Sequence, residues 1–422
     1  MPSKISPVDV AHLPESISEI IADEKSLARL LIAVRRHLHM NPETGMQEHD
    51  TSEFIRRTLE GYGLDVKGPV AGTGLFVDIE GEGITEAHAH VGYRADIDAL
   101  PAQDKKAVPY RSQTPQAAHL CGHDAHTAML LSAAQVLVGM KDRIPGRIRF
   151  LFQPNEEVAG AEQMVAEGAL EDPPVDAALG LHIWTPLRSG TIGATVGGVM
   201  SAMDVFHIVI KGKGGHTGYP DSAIDPVIAA ADLIQTAQRL QTRDISLLKP
   251  TALVFSKIEA GTKNNIIPDE VVVEGTLRYL FDPKLDGDED PPKRLEEIVA
   301  GVCAVHRCTY DYTVEQENEV VVNAPEMVKL VRETAAEILG DEKQIVEHRS
   351  MAGEDFAAYA RRVPAAFVFL GTGNPEIGTD NPHHNPHFNV DGDTMPTGVE
   401  LLVRTALRFF EKKTSGKGGC KK

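Results

Sequence analysis

Five short stretches of this chain gather metal-ligating or proton-transferring side chains, each at the end of an apolar run that reads as a strand or just before a helical one. RADIDALP (94–101) carries Asp96 and Asp98 at i and i+2, on one side of an extended chain. HLCGHDAHTA (119–128) sets Cys121 and His123 two apart, with Asp124 and His126 following. A thiolate beside an imidazole suits a borderline-soft ion such as zinc. FQPNEE (152–157) places Glu156 next to Glu157. Adjacent carboxylates repel, and they are tolerated where one is neutralised by a metal and the other handles protons. LGLHIW (179–184) ends a buried strand on His182, and PHHNPHF (382–388) supplies His383, His384 and His387. Taken singly, each has a plainer reading. Cys121 alone is a small buried hydrophobe, the Glu156–Glu157 pair a solvated loop, and any of the 17 histidines a core or surface residue. Taken jointly they point to a metal centre. His123, Glu157, His182 and His384 are successively 34, 25 and 202 residues apart. Structural zinc modules are compact in sequence, so such dispersed ligands read as catalytic. HExxH, GxSxG, Walker A and GxGxxG motifs are absent.

The elements that must hold these residues alternate. Helical spacing over 16–38, closed by Asn41-Pro42, is followed by a second helix over 51–60 that Gly61 and Gly63 stop. Strands at 74–79, 91–94, 147–152 and 177–183 alternate with helices at 127–137 and 161–167. That order implies an α/β layered domain with a largely parallel sheet, whose ligand sites lie at strand ends. After Gly198 the order becomes strand, helix, strand, strand, helix, strand, the ferredoxin-like arrangement. From about 316 the pattern returns to mixed strands and helices. The expected organisation is therefore a catalytic, metal-binding domain from 1–197 and 316–422, with a smaller domain inserted at 198–315. The polar, glycine-rich tail is expected to be disordered from about 412. A sheet edge left open in such an insert would need a partner, which suggests a homodimer.

Composition sets the limits. The chain has 422 residues, 42 Lys plus Arg against 61 Asp plus Glu, and a formal net charge of -19. With 42% hydrophobic and 24% charged residues it reads as soluble and globular, and it is longer than the ~250–300 residues at which single cores stop growing. The acidic balance argues against a duplex nucleic acid partner and against an anionic membrane surface. No apolar run approaches the ~20 residues of a membrane span, and the amino terminus lacks a signal-peptide pattern, so a cytoplasmic location is expected. Four cysteines, Cys121, Cys303, Cys308 and Cys420, make no disulfide framework.

The ordered motifs RRHLHMNPETGMQE (35–48), RADIDALP, HLCGHDAHTAMLL, LFQPNEEVAGAEQMVAEG, LGLHIW, GKGGHTGYP (212–220), GTKNNIIPD (261–269), MAGEDF (351–356) and HNPHFNVDGDTMPTG (384–398) span nearly the whole chain. In them the sequence resembles the aminoacylase and hippurate hydrolase family of dinuclear metallopeptidase-like amidohydrolases. That family includes plant indoleacetyl-amino acid hydrolases and bacterial N-acyl-amino acid deacylases. The resemblance implies a large mixed-sheet catalytic domain of phosphorylase/hydrolase-like α/β/α type with an inserted ferredoxin-like dimerisation domain acting as a lid. It implies two divalent metal ions per subunit, zinc first, with manganese, cobalt or nickel compatible, held by Cys121, His123, Glu157, His182 and His384. His383 and His387 match no ligand position and read as a polar rim. Glu156 matches the general base. Asp98 matches a carboxylate that orients a metal ligand, and the role of Asp96 is open. His216 of the GGH motif matches an oxyanion donor reaching across from the partner subunit, its plainer reading being a turn histidine. Asn265 resembles a polar substrate contact. Arg278 is either a carboxylate partner or a structural salt bridge, and Gly353 offers backbone contacts on the large-domain side. Glu354 supports the shell. The implied reaction is metal-dependent cleavage of an N-acyl amino acid to a free amino acid and a carboxylic acid. Peptidase or dipeptidase action on short peptides is the alternative, and a non-catalytic binding protein the remaining one. Where many relatives read MHACGHD and HxPxFDxDE, this chain has AHLCGHD and HNPHFNVDGD, changes that leave Cys121, His123 and His384 in place.

Overall fold

The structure is a computed structural model that describes residues 24–82, 89–286 and 289–417. The chain divides into two compact units, one formed by 1–196, 323–348 and 358–422, the other by 197–322 and 349–357.

The larger unit is built on an eight-stranded mixed sheet. Helices α1 (Glu24–Met40) and α2 (His49–Gly61) precede strands β1 (Lys67–Val70), β2 (Gly74–Glu80) and β3 (His90–Asp96). Residues 16–23 of the first expected helix lie outside the described residues. Helix α3 (His123–Val138), β4 (Arg147–Gln153), α4 (Ala161–Ala166), β5 (Ala177–Arg188) and β6 (Ile192–Gly193) follow. The strand order, with β11 and β12 placed below, is β1-β2-β4-β3-β5-β12-β6-β11. Strands β4, β3, β5 and β12 run parallel, and β2 joins β4 antiparallel. The parallel strands read as continuous apolar runs because both faces are covered. All seven residues of β3 are buried, as are all nine of β12. Helix α3 is buried around its whole circumference from His123 to Ala134, packed against α1, α2 and the C-terminal helix.

The smaller unit is a four-stranded antiparallel sheet of β7 (Ala202–Lys211), β8 (Thr251–Ala260), β9 (Glu270–Tyr279) and β10 (Thr309–Asn318), with helices α5 (Pro226–Ala237) and α6 (Pro291–His306). The order β8-β9-β7-β10 is the ferredoxin-like arrangement. Strand β7 alternates, burying Ala202, Asp204, Phe206, Ile208 and Ile210, and these apolar residues form a separate core with Leu233, Val273 and Val299. Prolines open both helices where a missing N–H costs nothing, and Asp225 and Asp290 cap them. The segment 349–357, which carries Gly353, belongs to this smaller unit and not to the larger one where its backbone contacts were expected.

The larger unit resumes with α7 (Pro325–Leu339), β11 (Ile345–Val346), β12 (Ala365–Gly373) and α8 (Met395–Lys417). Of the tail expected to lose structure from about 412, residues 418–422 lie outside the described residues.

One buried acid makes the smaller unit pH-sensitive. Asp204 is 1% exposed, and its Oδ2 has no hydrogen-bond partner. Burial pushes its carboxyl up to about 6, against the hydrogen bonds with Tyr279 and Gln316. A carboxyl raised on folding costs nothing below its unfolded pKa and costs most above its folded one, so this group's penalty grows between about pH 4 and pH 6. Asp204→Asn is expected to raise stability at pH 8 by about 1–3 kcal/mol and to leave it unchanged near pH 4. Denaturant unfolding at the two pH values checks this, and an equal gain at both would trace the effect to packing instead of charge.

Candidate metal centre

The centre assembles where β3, β4 and β5 approach their carboxyl ends, the general location of sites in parallel sheets. Strand β3 ends at Asp96, and Asp98 lies two residues beyond. Strand β4 ends at Gln153, and the turn that follows carries Glu156 and Glu157. His182 lies within β5, which runs on to Arg188, past the expected end at 183. Cys121 and His123 flank Gly122, the N-cap of α3, whose φ of 102° is left-handed. A Cβ on Gly122 would stand 2.3 Å from Ile183 Cδ1, so glycine alone lets the thiol and the imidazole straddle this tight corner. His384 also has a left-handed φ, 66°. Its backbone N–H donates to the Leu120 carbonyl at 2.8 Å, which ties its loop to the Cys121 loop.

Among the groups of three ligand atoms close enough to hold an ion, two consist wholly of the sequence-predicted ligands, Cys121-His123-His182 and Cys121-Glu157-His384, and these two share Cys121. In the first, Cys121 Sγ lies 3.6 Å from His182 Nε2. Sulfur at about 2.3 Å and nitrogen at about 2.0 Å from one tetrahedral ion would stand about 3.6 Å apart. In the second, His384 Nε2 lies 3.4 Å from Glu157 Oε1. Nitrogen and carboxylate oxygen on one tetrahedral ion would stand about 3.4 Å apart. His123 Nε2 and Glu157 Oε1 are buried without a hydrogen-bond partner. Both atoms are therefore available to an ion. The sequence-predicted ligands thus come together as a set that fits two ions with Cys121 common to both.

Neighbouring groups fix which nitrogen is free. His123 Nδ1 donates to Asp98, at 2.9 Å to its carbonyl and 3.2 Å to Oδ1, which leaves Nε2 as the candidate ligand atom. The other oxygen of Asp98 accepts from the Glu157 N–H at 3.1 Å. Asp98 therefore orients two ligands at once. His182 Nδ1 donates to the Ile183 carbonyl at 2.6 Å, again freeing Nε2. Asp96, whose role was open, accepts from Arg94 and from His126 Nδ1, both at 2.7 Å. His126 Nε2 accepts the Ile183 N–H at 2.9 Å, so both its nitrogens are used and it clamps β5 beside His182. His383 is likewise engaged at both nitrogens, with Cys121 and Thr185, and is no rim residue; His387 is exposed.

The site is electronegative. Glu156 Oε2, Asp96 Oδ2 and Glu157 Oε1 lie 3.7, 3.8 and 4.0 Å from His123 Nε2. Burial and the Glu157 charge push the Cys121 thiol well above its ordinary range. Cations relieve both conditions.

Two supports were not evident from sequence. Glu48 is fully buried, accepts from Thr73 Oγ1 at 2.6 Å and from the Asn155 N–H at 2.9 Å, and so holds the turn that presents Glu156 and Glu157. Asp124 accepts from Arg35 and His39, both at 2.7 Å, beneath the first turn of α3. The motif 35–48 was the available signal, but nothing in its spacing assigns these partners.

In the smaller unit, His216 Nδ1 accepts the Gly218 N–H at 2.9 Å, so Nε2 carries the proton on an exposed ring. Asn265 is exposed next to Ile266, the residue paired with His216. Arg278 donates to the Met351 carbonyl at 3.0 Å and makes no ion pair among the described residues. Glu354 is buried and accepts from the Phe356 N–H at 2.8 Å. Gly353 sits against Asn318, whose Nδ2 a Cβ would approach to 2.4 Å.

Residues 92–408 match the model of peptidase family M20/M25/M40. N-acetyl-L-cysteine deacetylase of Bacillus subtilis (strain 168) is 34% identical over 411 residues, covering 97% of this chain and 94% of the relative. Thermostable carboxypeptidase 2 of Saccharolobus solfataricus is 33% identical over 402 residues, with 94% and 99% covered. The crystal structure of Bacillus subtilis YXEP protein, described as a dinuclear metal-binding peptidase, superposes with a TM-score of 0.79 at 31% identity, covering 92% of this chain and 99% of that one.

The shared ligand gives an expected metal count. After chelation and reloading, the protein should bind two divalent ions per chain by elemental analysis. Cys121→Ala should lose both, and His182→Ala or His384→Ala one each. Asp98→Ala should keep the ligands and weaken binding about 10- to 100-fold. Retention of one full equivalent by Cys121→Ala would contradict the shared thiolate.

Proposed function

The chain belongs to peptidase family M20/M25/M40, and from that membership we propose a metal-dependent amidohydrolase that cleaves N-acyl amino acids to a free amino acid and a carboxylic acid. The observation that carries the proposal is the pair of donor sets sharing Cys121, with the Glu156 carboxylate 3.7 Å from His123 Nε2. When bound, two ions lower the pKa of a water and polarise the amide carbonyl. Glu156 is placed to take a proton from the attacking water and to deliver it to the departing nitrogen, as general base and then general acid. Asp98 keeps His123 and Glu157 fixed throughout. The exposed Nε2–H of His216 is a suitable donor to the oxyanion of the tetrahedral intermediate. Asn265 and the remaining N–H groups of Arg278 are the proposed contacts of the substrate carboxylate, with backbone contacts at Gly353.

The larger unit is the proposed catalytic domain and the smaller one a dimerising lid. Strand β8 is an edge of its sheet and exposes Val254 and Ile258, with Leu247 and Leu248 exposed just before it, which supports a homodimer through this face. Among the described residues no helix is long and apolar enough to cross a membrane. A cytosolic setting is proposed because Cys121 has to stay a reduced thiolate. Zinc is the proposed metal, since a thiolate with imidazoles favours it, and manganese, cobalt or nickel are the alternatives.

Carboxypeptidase or dipeptidase action uses the same bond and the same carboxylate contacts. It is favoured by the similarity to the Saccharolobus carboxypeptidase. A panel of N-acetyl, N-benzoyl and long-acyl amino acids beside free dipeptides separates the two readings. Faster release of amino acid from the acylated set is expected, and turnover of dipeptides alone would move the assignment to a peptidase. Glu156→Gln should retain both ions and lose about a thousandfold in kcat. His216→Ala should lower kcat by about a hundredfold or more with the metal count unchanged.

A further inference from the structure

His383 lies beside the thiol that both donor sets share, yet it is not one of their ligands. Its Nε2 accepts the backbone N–H of Thr185 at 3.4 Å. A nitrogen that accepts cannot also carry the proton, so in a neutral imidazole the proton is on Nδ1. That nitrogen faces Cys121 twice, at 3.2 Å from its carbonyl oxygen and 3.8 Å from Sγ. The ring is held in this orientation from both sides. It stacks on Trp184 with centroids 4.5 Å apart and packs against Phe388 at 4.9 Å. It also meets the His182 ring at 5.3 Å.

We propose that His383 is a positioning residue for the metal-bound thiolate. Its Nδ1–H is a fixed donor to Cys121 that sets how strongly the shared sulfur binds and how much charge it passes to the ions. This inference rests on Cys121 being a metal ligand. A thiolate common to two ions carries concentrated negative charge in a site already crowded by Glu156, Glu157 and Asp96. A neutral N–H donor lowers the energy of the sulfur lone pairs without adding a competing cation. It also closes Cys121 off from rotating away, because carbonyl and sulfur are held by one ring.

The test uses cobalt as a spectroscopic probe in the full-length protein. After chelation and reloading with Co2+, the sulfur-to-cobalt charge-transfer band reports the thiolate directly. His383→Phe keeps a ring against Trp184 and removes the N–H. His383→Asn removes the ring but places an amide N–H where Nδ1–H stands. In His383→Phe the raised sulfur lone pairs should move the band to lower energy, and the side chain, no longer held, should lose cobalt to a competing chelator about 10-fold more readily. In His383→Asn both values should return toward the wild type. His383→Leu is the second N–H-free variant and should repeat the Phe result whether or not the aromatic ring is tolerated. An unmoved band and unchanged retention in the Phe and Leu variants would overturn the proposal. So would an Asn variant as altered as the Phe variant, since that would trace the effect to ring packing. Absence of the band in the wild type would instead overturn Cys121 ligation itself, which separates failure of this inference from failure of the reading beneath it.

Discussion

The centre depends on one carboxylate that never needs to touch a substrate. Asp98 receives the His123 Nδ1–H on one oxygen and the Glu157 N–H on the other. The first bond fixes the start of α3 and the second fixes the turn after β4. These segments come from different parts of the chain, and neither alone could place its ligand to within the few tenths of an ångström a metal requires. The carboxylate is fully buried, so its two partners are also what makes its burial tolerable. The same constraint explains the packing below it. Helix α3 can be buried along its length because its first turn is pinned by Asp98, by Asp96 through His126 and Thr127, and by Arg35 and His39 through Asp124.

Charge concentration is the second organising fact. The candidate ligands hold an excess of acid, and the layer around them answers part of its own acidity with cations. Arg94 donates to Asp96 and Gln153, Arg35 pairs with Asp124, and Lys106 lies 3.0 Å from Asp104. Each of these bases neutralises an acid of the supporting layer, and none of them pairs with the Cys121 and Glu157 ligands. Cys121 and Glu157 therefore remain candidate ligands for divalent ions.

Much of this was legible in the sequence because ligand chemistry at parallel strand ends leaves a local signature. A Cys-x-His before an apolar helix, a Glu-Glu after an apolar strand and a His in LGLHIW can each be recognised within six residues. The ferredoxin-like unit was legible for the same reason, since alternation in β7 and β9 is a period-two pattern that neither helix nor loop imitates. The supports were not legible. Glu48 acts on Asn155 across 107 residues and His39 on Asp124 across 85, and a buried charged residue looks in sequence like a surface one. Short pairing strands such as β6 and β11, of two residues each, carry no pattern at all. The placement of Gly353 in the smaller unit follows from Ser201 bonding to the carbonyls of Met351 and Ala352, a tertiary contact without sequence periodicity.

The histidines show how the fold separates ligands from neighbours that share the same residue type and burial. A histidine can bind an ion only through a nitrogen that keeps its lone pair, and a protein chooses that nitrogen by occupying the other one. His123 and His182 each have Nδ1 committed to an oxygen acceptor and Nε2 directed at Cys121 or left without a partner. His126 and His383 are as close to the centre, yet each has both nitrogens occupied, one as donor and one as acceptor of a backbone N–H. The backbone donors come from Ile183 and Thr185, on either side of Trp184 in the strand that also carries His182. One strand thus carries a candidate ligand and occupies the accepting nitrogen of two neighbouring histidines.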